Sequence, residues 1–156
     1  MECLERLTTY LREHRAPYQV QQHPEAFTAQ EVAASEHVPG RFVAKAVVVF
    51  ADAQKALLVL PATHQVNLVQ AAQVLGAAEV RLAHEDEFAA NFPDCEVGAI
   101  PPFGNLYGLP VYVDRSLTAG DQIIFPAGTH TTTLSVAYPD FARLVEPVIL
   151  DFASAP

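Results

Sequence analysis

The stretch GAIPPFG, residues 98–104, follows no helix or strand pattern, and its backbone is restricted at almost every position. Each proline favours an extended conformation at the residue before it, while the two glycines permit turns that other residues disfavour. These properties predict a rigid, shaped loop that can approach a ligand closely. An ordinary connector between strands is the alternative. The loop residues that retain a backbone N–H for an oxyanion, a phosphate or a carbonyl oxygen are Gly98, Ala99, Ile100, Phe103 and Gly104.

The composition predicts one domain over residues 1–156, because a chain of 156 residues that is 51% hydrophobic can bury a substantial core. Nine Lys and Arg residues stand against 18 Asp and Glu, which gives a formal net charge of -9. This charge disfavours a broad electrostatic contact with a nucleic-acid backbone, and we expect no DNA partner. Any contact with RNA must be small and local.

Two cysteines, Cys3 and Cys95, occur in a chain without a signal peptide or an apolar run long enough to span a bilayer. These features predict a reduced cytoplasmic protein with no membrane partner. Neither cysteine has the sequence spacing of a metal-binding or redox-active pair. The histidines also lack the spacing of a zinc site, so we expect no metal.

Hydrophobic periodicity predicts short helices alternating with strands. The predicted helices cover Glu2–Arg15, Thr28–Ala34 with a capping box between Thr28 and Glu31, Asn67–Leu75 closed by Gly76, Glu85–Phe92 and Tyr138–Val145. The predicted strands cover Tyr18–Gln21, Phe42–Phe50, Ala56–Pro61, Glu79–Leu82, Val111–Asp114, Asp121–Phe125 and Thr131–Val136. A turn over Asp52–Lys55 joins the second and third strands in a hairpin. The pattern is typical of a mixed α/β (α+β) domain.

Lys45 is the single charge in the longest apolar run of the sequence, Phe42–Phe50. The other lysine, Lys55, lies in the predicted turn and needs no special explanation. An ammonium group inside an apolar strand must reach water, meet a partner or guard a sheet edge against aggregation. Because buried charges are costly, a functional site is a further explanation for Lys45.

Taken together, these motifs resemble the YbaK/EbsC family of prolyl-tRNA synthetase-associated editing domains. The resemblance is carried by Ala44-Lys45, Leu60-Pro61, Leu75-Gly76, the loop at 98–104, Asp114 and Ala127-Gly128. It implies a mixed, partly barrel-like sheet flanked by helices. It also implies hydrolysis of the ester that joins a wrong amino acid to the 3′ end of a tRNA, without a metal or organic cofactor.

The resemblance carries functional roles to individual residues of this chain. Lys45 matches the family's functional lysine, the segment Gly98–Pro101 matches its Gly-x-x-Pro substrate loop, and His130 matches a histidine of some members. The implied catalytic residues are Lys45, Gly98 and His130, and the implied substrate-binding residues are Ala99, Ile100, Pro101 and Gly128. Alanine-selective members tend to have asparagine after the lysine, whereas this chain has Ala46.

Several alternatives remain open at the level of sequence. A histidine after a glycine turn is often a surface residue, and Asp114 at a strand end either holds loop backbone or lines the pocket. No Ser-His-Asp or Cys-His arrangement is supported, so we expect water to attack the ester directly. The implied partners are the tRNA acceptor end, bound weakly, and an aminoacyl-tRNA synthetase. The competing functions are hydrolysis of another small ester, and a non-catalytic module that binds an aminoacyl or nucleotide-like ligand or docks on a synthetase.

Overall fold

Short helices alternate with strands in the computed structural model, which describes residues 2–23 and 42–155. The helices are α1 (Cys3–Glu13), α2 (Leu68–Leu75), α3 (Glu85–Phe88) and α4 (Tyr138–Val145). The strands are β1 (Tyr18–Gln22), β2 (Ala44–Ala51), β3 (Gln54–Pro61), β4 (Gln65–Val66), β5 (Val80–Leu82), β6 (Val111–Asp114), β7 (Gln122–Pro126), β8 (Thr132–Ala137), β9 (Val148–Leu150) and β10 (Ala153–Ser154). The predicted helix at Thr28–Ala34 lies outside the described residues.

The predicted hairpin forms the centre of a five-stranded sheet with the order β5-β2-β3-β6-β9. β2 pairs antiparallel with β3 along eight residue positions, from Ala44 opposite Pro61 to Ala51 opposite Gln54. β6 then pairs parallel with β3, and β9 pairs parallel with β6. This mixed sheet holds Lys45 at the second position of β2 rather than at the centre of the strand.

A second sheet has the order β1-β8-β7, with antiparallel pairing throughout. A parallel bridge between Val43 and Ile124 connects the start of β2 to β7. The strands β10 and β4 form a separate two-stranded pair. The described strands therefore form open sheets, and no closed barrel occurs within the two described ranges.

Two hydrophobic cores lie on opposite faces of β2 and β3. The main core contains Leu7, Leu11, Ala44, Val48, Leu57, Val59, Ile100, Phe103, Ile123, Phe125, Leu134 and Phe141, among others. The second core contains Val49, Leu58, Leu60, Ala71, Val80 and Phe152. Because successive strand residues point to opposite faces, the apolar run of β2 supplies both cores. The mixed α/β class predicted from the sequence is confirmed.

The predicted helix over Glu85–Phe92 is wrong in its second half. α3 ends at Phe88, and a 3₁₀ turn follows over Ala89–Asn91. Pro93 disfavours the α conformation at the residue before it, so the last turn tightens before the chain becomes extended. The predicted end of α2 is confirmed, because Gly76 takes a left-handed conformation with φ of 70°.

Candidate functional site

Backbone hydrogen bonds join the predicted loop to the turn that carries His130. The Gly128 N–H donates to the Ala99 carbonyl oxygen at 2.9 Å, and the Glu96 N–H donates to the Gly128 carbonyl oxygen at 2.8 Å. The Glu96 carboxylate accepts a hydrogen bond from the His130 backbone N–H at 2.9 Å. Two segments about 30 residues apart in the chain are thus fixed side by side.

Gly98 and His130 meet at the surface of this arrangement. Gly98 has a φ of 82°, and a Cβ atom at this position would lie 3.1 Å from Cε1 of His130. Both residues are exposed. The glycine therefore serves two needs at once, because it takes a left-handed backbone conformation and leaves room for the imidazole ring.

The loop contributes fewer free donors than its sequence predicts. The Ala99 N–H donates to the Glu96 carbonyl oxygen at 3.0 Å, so it is not available to an oxyanion, which corrects that part of the prediction. Within residues 2–23 and 42–155, no hydrogen-bond acceptor is found for the N–H groups of Gly98 and Ile100. Gly98 is the exposed one of the two, which makes its N–H the more accessible donor.

The remaining predicted substrate-binding residues are buried. The Ile100 side chain lies in the main core and is 4% exposed, while Ala99 and Pro101 are also buried. Gly128 has a φ of 95°, and a Cβ atom there would lie 2.6 Å from Cβ of Cys3. These residues therefore shape the loop and the turn from below, and their substrate-binding role stays a prediction.

Lys45 is half-buried on β2, opposite Leu60 of β3. Its neighbour Ala44 belongs to the main core, so strand alternation places Lys45 on the face of Val47 and Val49, which pack in the second core. Burial lowers the pKa of its ammonium group below the ordinary value. We find no ion pair or hydrogen bond for Lys45 in the part of the chain that the structure describes.

The structure therefore groups Gly98, Ala99, Gly128 and His130, and within the described residues no hydrogen bond or ion pair joins Lys45 to them. A parallel bridge between Val43 and Ile124 joins the residue before β2 to the middle of β7. The role predicted for Lys45 stays a prediction.

A cavity of about 520 Å³ lies beneath the turn, between the start of α1 and the segment before the loop. We call it the thiol cavity. Its lining includes Cys3, Asp94, Cys95, Glu96 and Gly128. Both cysteines are free thiols. Their positions in the sequence gave no sign that they line the same cavity.

The two sulfur atoms share one hydroxyl partner. The Tyr107 hydroxyl donates to Sγ of Cys3 at 3.5 Å, and Sγ of Cys95 donates to the same hydroxyl oxygen at 3.6 Å. A hydrogen bond from Cys95 lowers the pKa of Cys3, against the opposing effect of burial. The same bond raises the pKa of Cys95.

Sequence reasoning missed Glu96 and the cysteine pair. Glu96 joins the loop to the turn through both backbone and side chain, but a lone exposed glutamate carries no sequence signal. The sequence left two roles open for Asp114, holding loop backbone or lining the pocket. In the structure its carboxylate accepts hydrogen bonds from the N–H groups of Ser116, Phe152 and Ala153. Asp114 therefore holds loop backbone and does not line the thiol cavity.

Comparison with known proteins shows matches over most of the chain. The model of the aminoacyl-tRNA editing domain family matches residues 23–144. A proline–tRNA ligase from Thiobacillus denitrificans is 31% identical over 126 residues, which are 80% of this chain and 21% of the ligase. The multifunctional Ser/Thr-tRNA deacylase ProXp-y from Escherichia coli K12 is 31% identical over 100 residues, which are 64% of this chain and 59% of the deacylase. The chain thus spans about a fifth of the ligase's length and less than two thirds of the deacylase's.

The solved structures agree on the fold. A crystal structure of a candidate trans-editing enzyme for prolyl-tRNA synthetase superimposes with a TM-score of 0.83 at 19% identity, covering 99% of both chains. At this level of identity the likeness establishes the fold alone. None of the helices in the described ranges is long and apolar enough to cross a membrane.

Proposed function

The chain belongs to the aminoacyl-tRNA editing domain family, as its sequence motifs predicted, and on that premise we propose that it hydrolyses the ester bond of mischarged aminoacyl-tRNA. The observation that carries this proposal is the position of the His130 ring beside Gly98, where it leaves little room for a side chain, and this position is fixed by hydrogen bonds that involve Glu96, Ala99 and Gly128. The relative from Escherichia coli is named as a deacylase of Ser- and Thr-tRNA. We propose a small wrong amino acid as the substrate here, carried by tRNA(Pro).

The proposed reaction needs donors aimed at one oxygen. A water molecule attacks the carbonyl carbon, negative charge develops on the carbonyl oxygen, and the bond to the ribose oxygen breaks as that oxygen takes a proton. The exposed N–H of Gly98 suits the developing oxyanion, because a fixed backbone donor needs no reorganisation during the reaction. We assign to the ring of His130, which lies beside the same glycine, the role of orienting the water or the ester. No covalent intermediate is needed.

Lys45 has a different proposed role, which is electrostatic. As a half-buried cation, Lys45 has no carboxylate partner among the described residues, so its ammonium group is available to an external anion. The terminal phosphate of the tRNA, or the charge on the carbonyl oxygen, would provide that anion. Partial burial strengthens the attraction, because less water screens it.

The proposed partners follow from the charge and the family. A net charge of -9 leaves the acceptor end as the part of a tRNA that the protein contacts. Association with a prolyl-tRNA synthetase is supported by the likeness to a domain-sized part of a proline–tRNA ligase. We also propose that residues 1–156 act as one editing domain, and that the protein works in the cytoplasm.

The decisive experiment measures deacylation of tRNA(Pro) charged separately with alanine, cysteine, serine, threonine and proline. The native protein should release one or more of the wrong amino acids and spare proline. Lys45→Ala should lose about 100-fold in rate, the scale expected for removing one stabilising group from a charged transition state. Lys55→Ala is the matched control, since Lys55 binds the Glu87 carbonyl and the Asn91 side chain and lies outside the proposed site.

Two outcomes would contradict the proposal. The first outcome is that no aminoacyl-tRNA, in this set or in a wider panel of tRNAs, is hydrolysed faster than in buffer. The proposal of catalysis would then be rejected in favour of a non-catalytic binding module. If simple aminoacyl esters are hydrolysed as fast as the same amino acids on tRNA, the tRNA requirement fails. Equal losses in Lys45→Ala and Lys55→Ala would remove Lys45 from the mechanism while leaving the activity itself in place.

A further inference from the structure

Two cysteines that are 92 positions apart in the sequence share a cluster beside the thiol cavity. Sγ of Cys95 donates hydrogen bonds to the Tyr107 hydroxyl oxygen and to Oδ1 of Asp94, both at 3.6 Å. The Tyr107 hydroxyl lies 3.5 Å from Sγ of Cys3, and Nε of Arg6 lies 3.1 Å from Oδ2 of Asp94. The sequence spacing of the two cysteines gives no sign of a pair, but the fold brings both sulfurs to one hydroxyl.

From this geometry we propose that Cys3 and Cys95 form a reversible intramolecular disulfide when the protein meets a small-molecule disulfide such as glutathione disulfide. Both cysteines line the thiol cavity, but Cys95 is half-buried and Cys3 is only 2% exposed, so the first exchange requires local opening at the start of α1. The inference concerns a modification site and does not depend on the proposed deacylase function.

Cys3 is the expected nucleophile. It is the first residue of α1, where the helix dipole and unpaired N–H groups favour an anion. Hydrogen bonding from Cys95 and from Tyr107, together with the charge of Arg6, lowers its pKa. A thiolate is the reactive form of cysteine, so these contacts favour attack by Cys3 over attack by Cys95.

The reaction runs in two exchanges. The Cys3 thiolate attacks one sulfur of the small disulfide, that S–S bond breaks, and one thiolate leaves and takes a proton from solvent. The Cys95 thiolate then attacks Sγ of Cys3 and displaces the second small thiolate. In sum, the two protein thiols are oxidised by two electrons, and one small disulfide is reduced to two thiols.

Cys95 becomes a better nucleophile once the first exchange has occurred. The principal cause of its raised pKa is the hydrogen bond to Cys3, which ends when Cys3 is held in a mixed disulfide. The Asp94 carboxylate accepts a hydrogen bond from the Cys95 thiol and orients it, and the thiol proton passes to solvent as the thiolate forms. The cluster thus contains an attacking thiol and a resolving thiol.

The disulfide would act on the turn at Gly128, which holds the loop in position. The side chain of Cys3 packs directly beneath Gly128, where any Cβ atom would overlap it. Gly128 in turn donates to the Ala99 carbonyl and accepts from the Glu96 N–H. Movement of Cys3 toward Cys95 therefore changes the support of the loop–turn pair.

The test exposes the full-length native protein to glutathione buffers of increasing oxidised fraction, followed by alkylation and intact-mass measurement. Because the chain has only two cysteines, an intramolecular disulfide can join only these two. We expect the mass to fall by two hydrogen atoms, both thiols to resist alkylation, the chain to stay monomeric on a non-reducing gel, and dithiothreitol to reverse the change. Persisting alkylation of both thiols, a stable glutathione adduct in place of the disulfide, or a disulfide-linked dimer would overturn the proposal.

Single variants assign the roles of the two thiols. Cys95→Ser should trap a mixed disulfide between Cys3 and glutathione, and should form it about tenfold faster at pH 7 than Cys3→Ser forms one at Cys95. Equal rates, or a faster reaction at Cys95, would overturn the assignment of Cys3 as nucleophile. Tyr107→Phe in the Cys95→Ser background should move the pH profile of Cys3 alkylation upward, and circular dichroism confirms that each variant is folded.

Discussion

Gly98 has a left-handed backbone conformation and also leaves room for the His130 ring, and a pair of substitutions can separate the effects of these two properties. Gly98 and Gly108 both have positive φ angles, 82° and 75°, but a Cβ atom at 108 meets no atom within 4 Å. Gly98→Ala and Gly108→Ala should each lose about 1 kcal/mol of unfolding free energy, because both force alanine into a left-handed conformation. Only Gly98→Ala presses on the His130 ring, so only that variant should lower the deacylation rate, by about tenfold for a displaced group.

A double variant tests whether the loss of deacylation rate in Gly98→Ala is caused by displacement of the His130 ring. In a His130→Ala background, Gly98→Ala should cause no further loss of deacylation, because the ring that it displaces is gone. Unfolding in denaturant provides the stability comparison, and single-turnover deacylation provides the rate. Equal rates for Gly98→Ala and Gly108→Ala would contradict a role for this contact.

At the scale of elements, sequence patterns located the features that depend on neighbours in the chain. The apolar run of β2, the end of α2 at Gly76 and the helix over Tyr138–Val145 were predicted because periodicity and caps are local. β4 and β10 escaped prediction, because each has two residues and exists only through pairing with the other. A two-residue strand carries no detectable alternation.

In the candidate site, too, the features set by local sequence could be predicted and those set by distant contacts could not. The loop at residues 98–104 was identifiable because proline and glycine restrict the backbone whatever surrounds them. The hydrogen bond from Ala99 to Glu96 was not identifiable, since it depends on the path of residues 96–99. The meeting of Cys3 and Cys95 was hidden for a stronger reason, because it requires α1 and the segment before the loop to pack together.

Asp114 shows how one side chain holds several elements together. Its carboxylate, 6% exposed, accepts hydrogen bonds at 2.9 Å from the N–H groups of both Phe152 and Ala153, the latter at the start of β10. Asp114→Ala should therefore lower the unfolding free energy by about 3 kcal/mol, because it leaves buried donors unpaired. Asp151→Ala is the matched control. Its exposed ion pair with Arg115 should be worth less than about 0.5 kcal/mol, measured by the same denaturant unfolding.

The same aspartate gives a pH signature. Burial raises its pKa, but the hydrogen bonds from Ser116, Phe152 and Ala153 outweigh burial and lower the pKa below the ordinary value. A lowered pKa in the folded state stabilises the protein above the unfolded-state pKa of about 4, and the effect is lost as the pH falls further. The stability difference between the native protein and Asp114→Asn should therefore shrink below about pH 4. A difference that stays constant with pH would contradict this role of the carboxylate.

At the scale of the whole molecule, the five-stranded sheet separates two cores and divides the predicted functional residues between its faces. The loop packs through Ile100 and Phe103 into the main core, whereas Lys45 lies on the face of the second core. A substrate that contacted both the loop and Lys45 would have to extend past the start of β2. At this point the bridge from Val43 to Ile124 joins the two sheets. An extended, single-stranded acceptor end meets that requirement better than a compact ligand.

The net charge makes the proposed contact with tRNA measurable in its salt dependence. The chain has nine Lys and Arg residues against 18 Asp and Glu, a formal charge of -9, so repulsion from the acidic groups limits how many phosphates it neutralises and release of counterions contributes little to binding. Fluorescence anisotropy with labelled tRNA should give a slope of log affinity against log salt no steeper than about -2, since single strands lose about 0.7 per neutralised phosphate. An acceptor-stem minihelix should bind about as tightly as full-length tRNA, and Lys45→Ala should flatten the slope while Lys55→Ala leaves it unchanged. A slope steeper than about -4, or full-length tRNA bound far more tightly than the minihelix, would require a broad contact with the tRNA body and would contradict recognition confined to its end.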